Sequence, residues 1–265
     1  MAIQLNERDH LIFKLIDEHQ VLLEKHISWF IASDDKPVLI RDRLRKLFYL
    51  DYLLCERHRD TLPWWTTPTK PLVYMLSPMT RELMGAAEDD MTLAESDKQR
   101  NLLEIANLRM LYLLAQKEGL ISKCEWTTIA GKGDTEVIAD IDAKVNFHLN
   151  GTAWRVAIMN HPQCNQETIT TALKSAFAKL GVELVLMVSR DIEHQQKLQQ
   201  AVASLDGSAN LIKRTAFATH QDLYKNGITK TRWQNAEQRQ LNLWPEAAET
   251  AKPTWIGSVP QSMPA

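Results

Sequence analysis

Between positions 36 and 59 the chain concentrates cations: Lys36, Arg41, Arg43, Arg45, Lys46, Arg57 and Arg59 stand against only Asp42, Asp51 and Glu56. A guanidinium can bond the O6 and N7 edge of guanine as a planar fork, and an ammonium acts as a point charge on phosphate. Four of the seven, Arg41, Arg43, Arg45 and Lys46, lie among Ile40, Leu44, Leu47 and Phe48, a helical spacing of apolar residues. The segment 37–49 therefore reads as a short amphipathic helix with a basic face. Over the full 265 residues the net charge is −2. A chain so nearly neutral is not expected to coat nucleic acid indiscriminately, yet it can present one basic face.

The elements that must position this helix precede and follow it. Leu11, Ile12, Leu15 and Ile16 make residues 7–19 a first amphipathic helix. Leu22, Leu23, Ile27, Phe30 and Ile31 predict a second over 20–31, stopped by Ser33, Asp34 and Asp35. Pro37 suits the first turn of the third helix, where its missing N–H would have no partner. On its own the basic helix reads equally well as a solvated face. Its continuation decides for recognition: strand-like Tyr52, Leu53, Leu54 and Cys55, a polar loop over 56–69, and a returning strand over 71–76 form a wing. Arg57, His58, Arg59 and Lys70 fall on or beside it, where side chains reach the DNA backbone or minor groove. Trp64 and Trp65 at the wing tip are expected either to pack on a partner or the second domain, or to act as a wedge or stacking platform on DNA. Ser77 and Pro78 start a helix over 79–84.

The run from Asn6-Glu7-Arg8-Asp9, through Arg41-Asp42-Arg43-Leu44-Arg45-Lys46-Leu47, to Pro71-Leu72-Val73-Tyr74-Met75-Leu76-Ser77-Pro78 resembles the replication-relaxation family of plasmid and mobile-element proteins, relatives of the MobC-type relaxases. The resemblance covers roughly residues 5 to 225 and is most specific in the first domain. It implies an N-terminal winged helix-turn-helix followed by a domain similar to the PD-(D/E)XK nucleases.

The rest of the chain fits that order. An acidic connector over 86–96 leads to a long apolar helix, 97–118, read as an inter-domain helix, a dimer interface or the first helix of the second domain. Strands follow at 125–129, 137–147 and 153–159, then a helix at 166–180, a buried strand at 182–188, a helix at 192–205 and a last strand near 210–214. The expected fold class is α+β or α/β, with domains at 1–85 and 119–230, a linker and long helix at 86–118, and a tail at 231–265. In the tail 234–243 reads as a helix, whereas Pro253, Pro260 and Pro264 exclude one beyond 252.

The nuclease resemblance implies a metal site in which two carboxylates hold Mg²⁺ or Mn²⁺ and a Lys steadies developing charge. Asp140 matches the first acidic position, and Asp142, two residues on, would share its strand face. The next strand departs from the pattern: Asn160 is its nearest polar substitute for the second carboxylate, and a neutral amide is a poor magnesium ligand. Lys144, Glu136, Asp134 and His161 are candidates for a rearranged site. His148 and His161 fit no compact metal motif. The site reading is thus Asp140, Asp142 and Asn160 as catalytic residues, with Asp140 as metal ligand, only if the domain is an active nickase; otherwise no cofactor is expected.

Cys55, Cys124 and Cys164 are too scattered for a disulfide framework or a zinc finger. No apolar run approaches the roughly 20 residues that span a bilayer, and residues 1–11 lack an export signal, so a cytoplasmic chain without membrane partners is expected. The expected partner is double-stranded DNA, with relaxosome or other mobile-element proteins and a homodimer as further candidates.

Overall fold

Asn6 begins the first helix by a reciprocal cap: its side chain accepts from the Asp9 N–H while the Asp9 carboxylate accepts from its own N–H. The computed structural model describes residues 4–32, 37–65, 68–85, 96–129, 140–205 and 209–244. They form a mixed α/β protein in two units, the first running to Lys117 and the second starting at Glu118.

In the first unit α1 (Glu7–His19) leads to β1 (Leu22–Leu23), α2 (Glu24–Ala32), α3 (Pro37–Tyr49), β2 (Leu53–Arg57), β3 (Leu72–Leu76), α4 (Pro78–Met84) and α5 (Ser96–Lys117). The helix predicted over 20–31 begins late. Gln20 takes φ 62°, which breaks the helical path, and Leu22 and Leu23 pair with Tyr74 and Val73 instead. These two strand residues face opposite ways: Leu22 joins the core beneath α1, α2 and α3, and Leu23 joins the cluster under α5. The resulting sheet is antiparallel in the order β1-β3-β2.

Its two faces carry separate cores. Ile12, Phe13, Ile16, Ile27, Ile40, Leu44 and Leu47 from the helices meet Leu53, Tyr74 and Leu76 on one face. On the other, Val73 and Met75 pack with Leu62, Trp64, Leu102 and Leu103. α5 therefore belongs to the first unit, where it packs on α1, α2 and β1, rather than opening the second.

In the second unit β4 (Ser122–Thr128), β5 (Ala143–Leu149) and β6 (Thr152–Asn160) form an antiparallel meander, turned at Asn150 and Gly151 in left-handed backbone. After α6 (Gln166–Lys179) the chain returns as β7 (Leu184–Ser189), parallel to β6, and after α7 (Ile192–Ala203) and α8 (Ala209–Lys213) as β8 (Thr215–Thr219), parallel to β7. α9 (His220–Lys230), β9 (Trp233–Gln234) and β10 (Gln240–Leu241) complete a seven-stranded mixed sheet.

Two expectations fail here. The strand expected at 210–214 is α8, and the next five residues, all buried, are the strand. The helix expected at 234–243 is a small hairpin, whose turn is held by Asn235 Oδ1 accepting from the Glu237 and Arg239 N–H groups. Trp233 and Trp244 are buried, and Trp244 makes edge contacts with Phe147 and Trp154. Trp255 lies outside the described residues. Among the described residues no helix is long and apolar enough to cross a membrane.

The first unit buries a histidine that must stay neutral. His26, whose Nδ1 accepts from the Leu23 N–H, has its pKa lowered to about 3 by burial and by the nearby charges of His19 and Lys25, with Asn107 acting the other way. Because the folded value lies below the unfolded 6.5, the unfolded chain gains its proton first as pH falls, so stability is complete above that value and drains away toward 3. Urea unfolding should show a loss of about 2 kcal/mol from this group between pH 7 and pH 5, a difference that shrinks in His26→Asn.

Candidate nucleic-acid interface

α3 buries Ile40, Leu44 and Leu47, so the residues between them must divide among the remaining faces. Arg41, Arg45 and Lys46 are exposed. Arg41 bonds Glu24 of α2 at 2.9 Å while its side chain stays 60% exposed. A surface pair of this kind contributes only about 0–1 kcal/mol, so Arg41 can exchange Glu24 for another anion at little cost. Val38 and Leu39, also exposed, stand at the start of the same helix.

Arg43 does not belong to this set. Its guanidinium turns inward and forms a two-pronged bond with the buried Asp9 carboxylate of α1, with Nε to Oδ1 at 2.6 Å, and it is only 18% exposed. Burial pushes the Asp9 carboxyl up, but the bonds from Arg43 and the Asn6 N–H outweigh this and hold it below its usual range. Arg43 is thus a clamp between α1 and α3, not a DNA contact. The reason is periodicity: Arg43 lies three residues after Ile40 and four before Leu47, at the edge of the apolar stripe, while Arg45 and Lys46 point away from it.

The hairpin divides in the same way. Arg57, Arg59 and Lys70 are exposed, and Lys70 Nζ donates to the Arg59 carbonyl at 2.6 Å, which ties the two sides of the loop. His58 is buried and bonds Gln99 of α5, whose amide donates in turn to Glu56. It anchors the hairpin and is withdrawn from the expected DNA-facing set. Trp64 is likewise buried, against Leu62, Val73, Leu102 and Leu103, so it is neither a wedge nor a contact with a partner. Lys36 lies outside the described residues.

A groove of about 700 Å³ runs between α3, the first turn of α2 and the hairpin. Arg45, Lys25 and Lys70 stand around it with the Arg41–Glu24 pair; Phe48, Tyr49 and Trp65 supply aromatic walls. Cys55 and Tyr74 also line it, and burial raises both the thiol and the phenol, which keeps them uncharged.

In the second unit the sequence-derived site residues gather only in part. Asp140 is in a turn with φ 68° before β5, so the alternation that would put it on one strand face with Asp142 does not hold. It is exposed, with its carboxyl raised by partial desolvation. Asp142 Oδ2 accepts the Asn160 N–H at 2.6 Å, and Asn160 Oδ1 accepts from His220 Nε2 at 2.6 Å. Asn160 is therefore turned into a buried polar chain rather than toward an open ligand position.

Lys144 Nζ donates to the Leu180 carbonyl at the end of α6, an ordinary helix-terminus contact. His161 instead meets His194, ring centres 3.9 Å apart, and His194 Nδ1 lies 3.4 Å from Ser189 Oγ. Burial, with Lys197 and Arg190 nearby, lowers the His194 pKa despite the opposing charge of Asp191. Asp134 and Glu136 lie outside the described residues. Among the described residues no group of three or more His, Cys, Asp or Glu is placed to hold a metal ion.

Sequence reasoning missed His220, His194 and Ser189. Their signal is position at the carboxyl edge of β7 and β8: Ser189 ends β7, His220 follows β8 directly, and His194 lies in the first turn of the helix that follows β7.

No family model, curated protein or solved structure matches this chain.

The division of the arginines is directly measurable. Arg43→Ala leaves the Asp9 charge buried and should cost about 3 kcal/mol in urea unfolding, whereas Arg45→Ala should stay within about 0.5 kcal/mol of the parent. Equal losses would contradict the assignment of Arg43 as a clamp.

Proposed function

We propose that this is a sequence-specific double-stranded DNA-binding protein of a plasmid or integrative element, acting in conjugative mobilisation or replication control at an origin or promoter. The observation that carries the reading is the outward row Arg41, Arg45 and Lys46 on α3, beside a hairpin that carries Arg57, Arg59 and Lys70. Three helices, a three-stranded antiparallel sheet and a long hairpin in this order support a winged helix-turn-helix, with α3 as recognition helix. In the major groove Arg41 and Arg45 would meet guanine edges, and Val38 and Leu39 would meet thymine methyl groups. The hairpin cations would hold phosphates and set orientation.

The second unit supports a nuclease-like frame: a meander, a helix, and a strand added parallel to β6. Asp142 bonded to the Asn160 backbone, and Asn160 bonded to His220, favour a binding or scaffolding role for this unit over strand cleavage. Relaxosome proteins or a second copy of the chain are its proposed partners.

Gel shifts with fragments spanning the element's origin, at fixed salt, should show one fragment bound about a hundredfold or more tighter than the rest. Arg45→Ala with Lys46→Ala should weaken that binding about tenfold or more and flatten its salt dependence, without lowering the melting temperature. Equal affinity for every fragment would remove the claim of specificity. Supercoiled origin plasmid with Mg²⁺ or Mn²⁺ should stay intact; nicking lost in Asp142→Asn would establish the relaxase reading instead.

A further inference from the structure

We propose that the groove between α3 and the β2–β3 hairpin receives an unpaired nucleotide, so that the protein prefers duplex DNA that carries a single-stranded extension. The inference rests on the duplex-binding reading above and names a further feature of its ligand. A surface that reads only base edges and phosphates of an intact duplex needs no aromatic walls. Here Tyr49 is 73% exposed on a helix whose core is already complete, and its ring sits 5.6 Å from that of Phe48 at 52°, forming a corner. Trp65 is half-buried against the cluster of Leu62, Trp64 and Val73, and its Nε1–H donates to the Thr69 carbonyl at 2.6 Å, which restrains its ring at the groove.

The groove's volume of about 700 Å³ suits a nucleotide-sized group. Its walls would take the planar face of a base, a contact that tolerates any base type. Lys25 and Lys70 on its border match the phosphates on either side and outnumber the one carboxylate among the lining residues, Glu24. A neutral floor at Cys55 and Tyr74 offers no repulsion to an anion. A base within an intact helix cannot enter, because its faces are covered by its neighbours; an unpaired one can.

The test uses the full chain and fluorescence anisotropy at one moderate salt concentration, with a bound origin fragment made blunt or with a short single-stranded overhang of either polarity. The overhang probe of one polarity should bind about tenfold tighter than the blunt one. Phe48→Ala with Tyr49→Ala should abolish that preference while leaving affinity for the blunt duplex unchanged. Equal affinity for blunt and overhang probes in the parent would overturn this inference and leave duplex recognition standing, as would a preference that survives in the variant. A free mononucleotide that binds the groove without weakening the overhang complex would also overturn it, since the site would then belong to a small ligand. Absence of binding to any DNA would overturn both readings.

Discussion

The burial of Ile40, Leu44 and Leu47 against α1, α2 and the sheet is the constraint on which the first unit turns. A 13-residue helix has little orientation of its own, and only tertiary contact sets which side faces out. Sinking one stripe into the core obliges Arg41, Arg45 and Lys46 to stand in solvent. The Asp9–Arg43 bond then fixes the rotation of α3 against α1, from a carboxylate that also takes part in the cap of α1. One side chain thus couples the start of the first helix to the placement of the third.

The hairpin is held with similar economy, from its opposite face. α5 lies across the back of the sheet and takes Trp64 into its apolar cluster, and Gln99 of the same helix bonds both His58 and Glu56. A two-stranded ribbon is marginal by itself, and packing against a helix stabilises it. With its back anchored, the hairpin can hold Arg57, Arg59 and Lys70 outward and form one side of the groove opposite Phe48 and Tyr49.

In the second unit the polar side chains collect where the parallel strands end. Asn160 closes β6, Ser189 closes β7, and His220 follows β8 directly. Buried polar groups in such a place must find partners, and Asp142, Asn160 and His220 find one another, which stiffens the strand ends as a single hydrogen-bonded chain. The other histidine pair joins His161, just after β6, to His194 in the first turn of α7.

Local signals in the sequence determined α1, α3 and α4 closely, because apolar spacing, Asn6 and Ser77 as caps, and Pro37 and Pro78 in first turns all act within a few residues. They also determined the exposed charge of Arg45 and Lys46. Only tertiary structure decided what became of Arg43, His58 and Trp64, since Asp9, Gln99 and Leu102 lie 34 to 41 residues away along the chain. The same holds for Leu22 and Leu23, which fit a helix by pattern and became a strand because β3 offered them partners, and for residues 234–243, where the expected helix gave way to a turn held by Asn235 and a strand pair at the sheet edge. Asn160 is legible as the departure from a carboxylate, but its use was not: a hydrogen bond to a histidine 60 residues on is a fact of packing, and no local rule contains it.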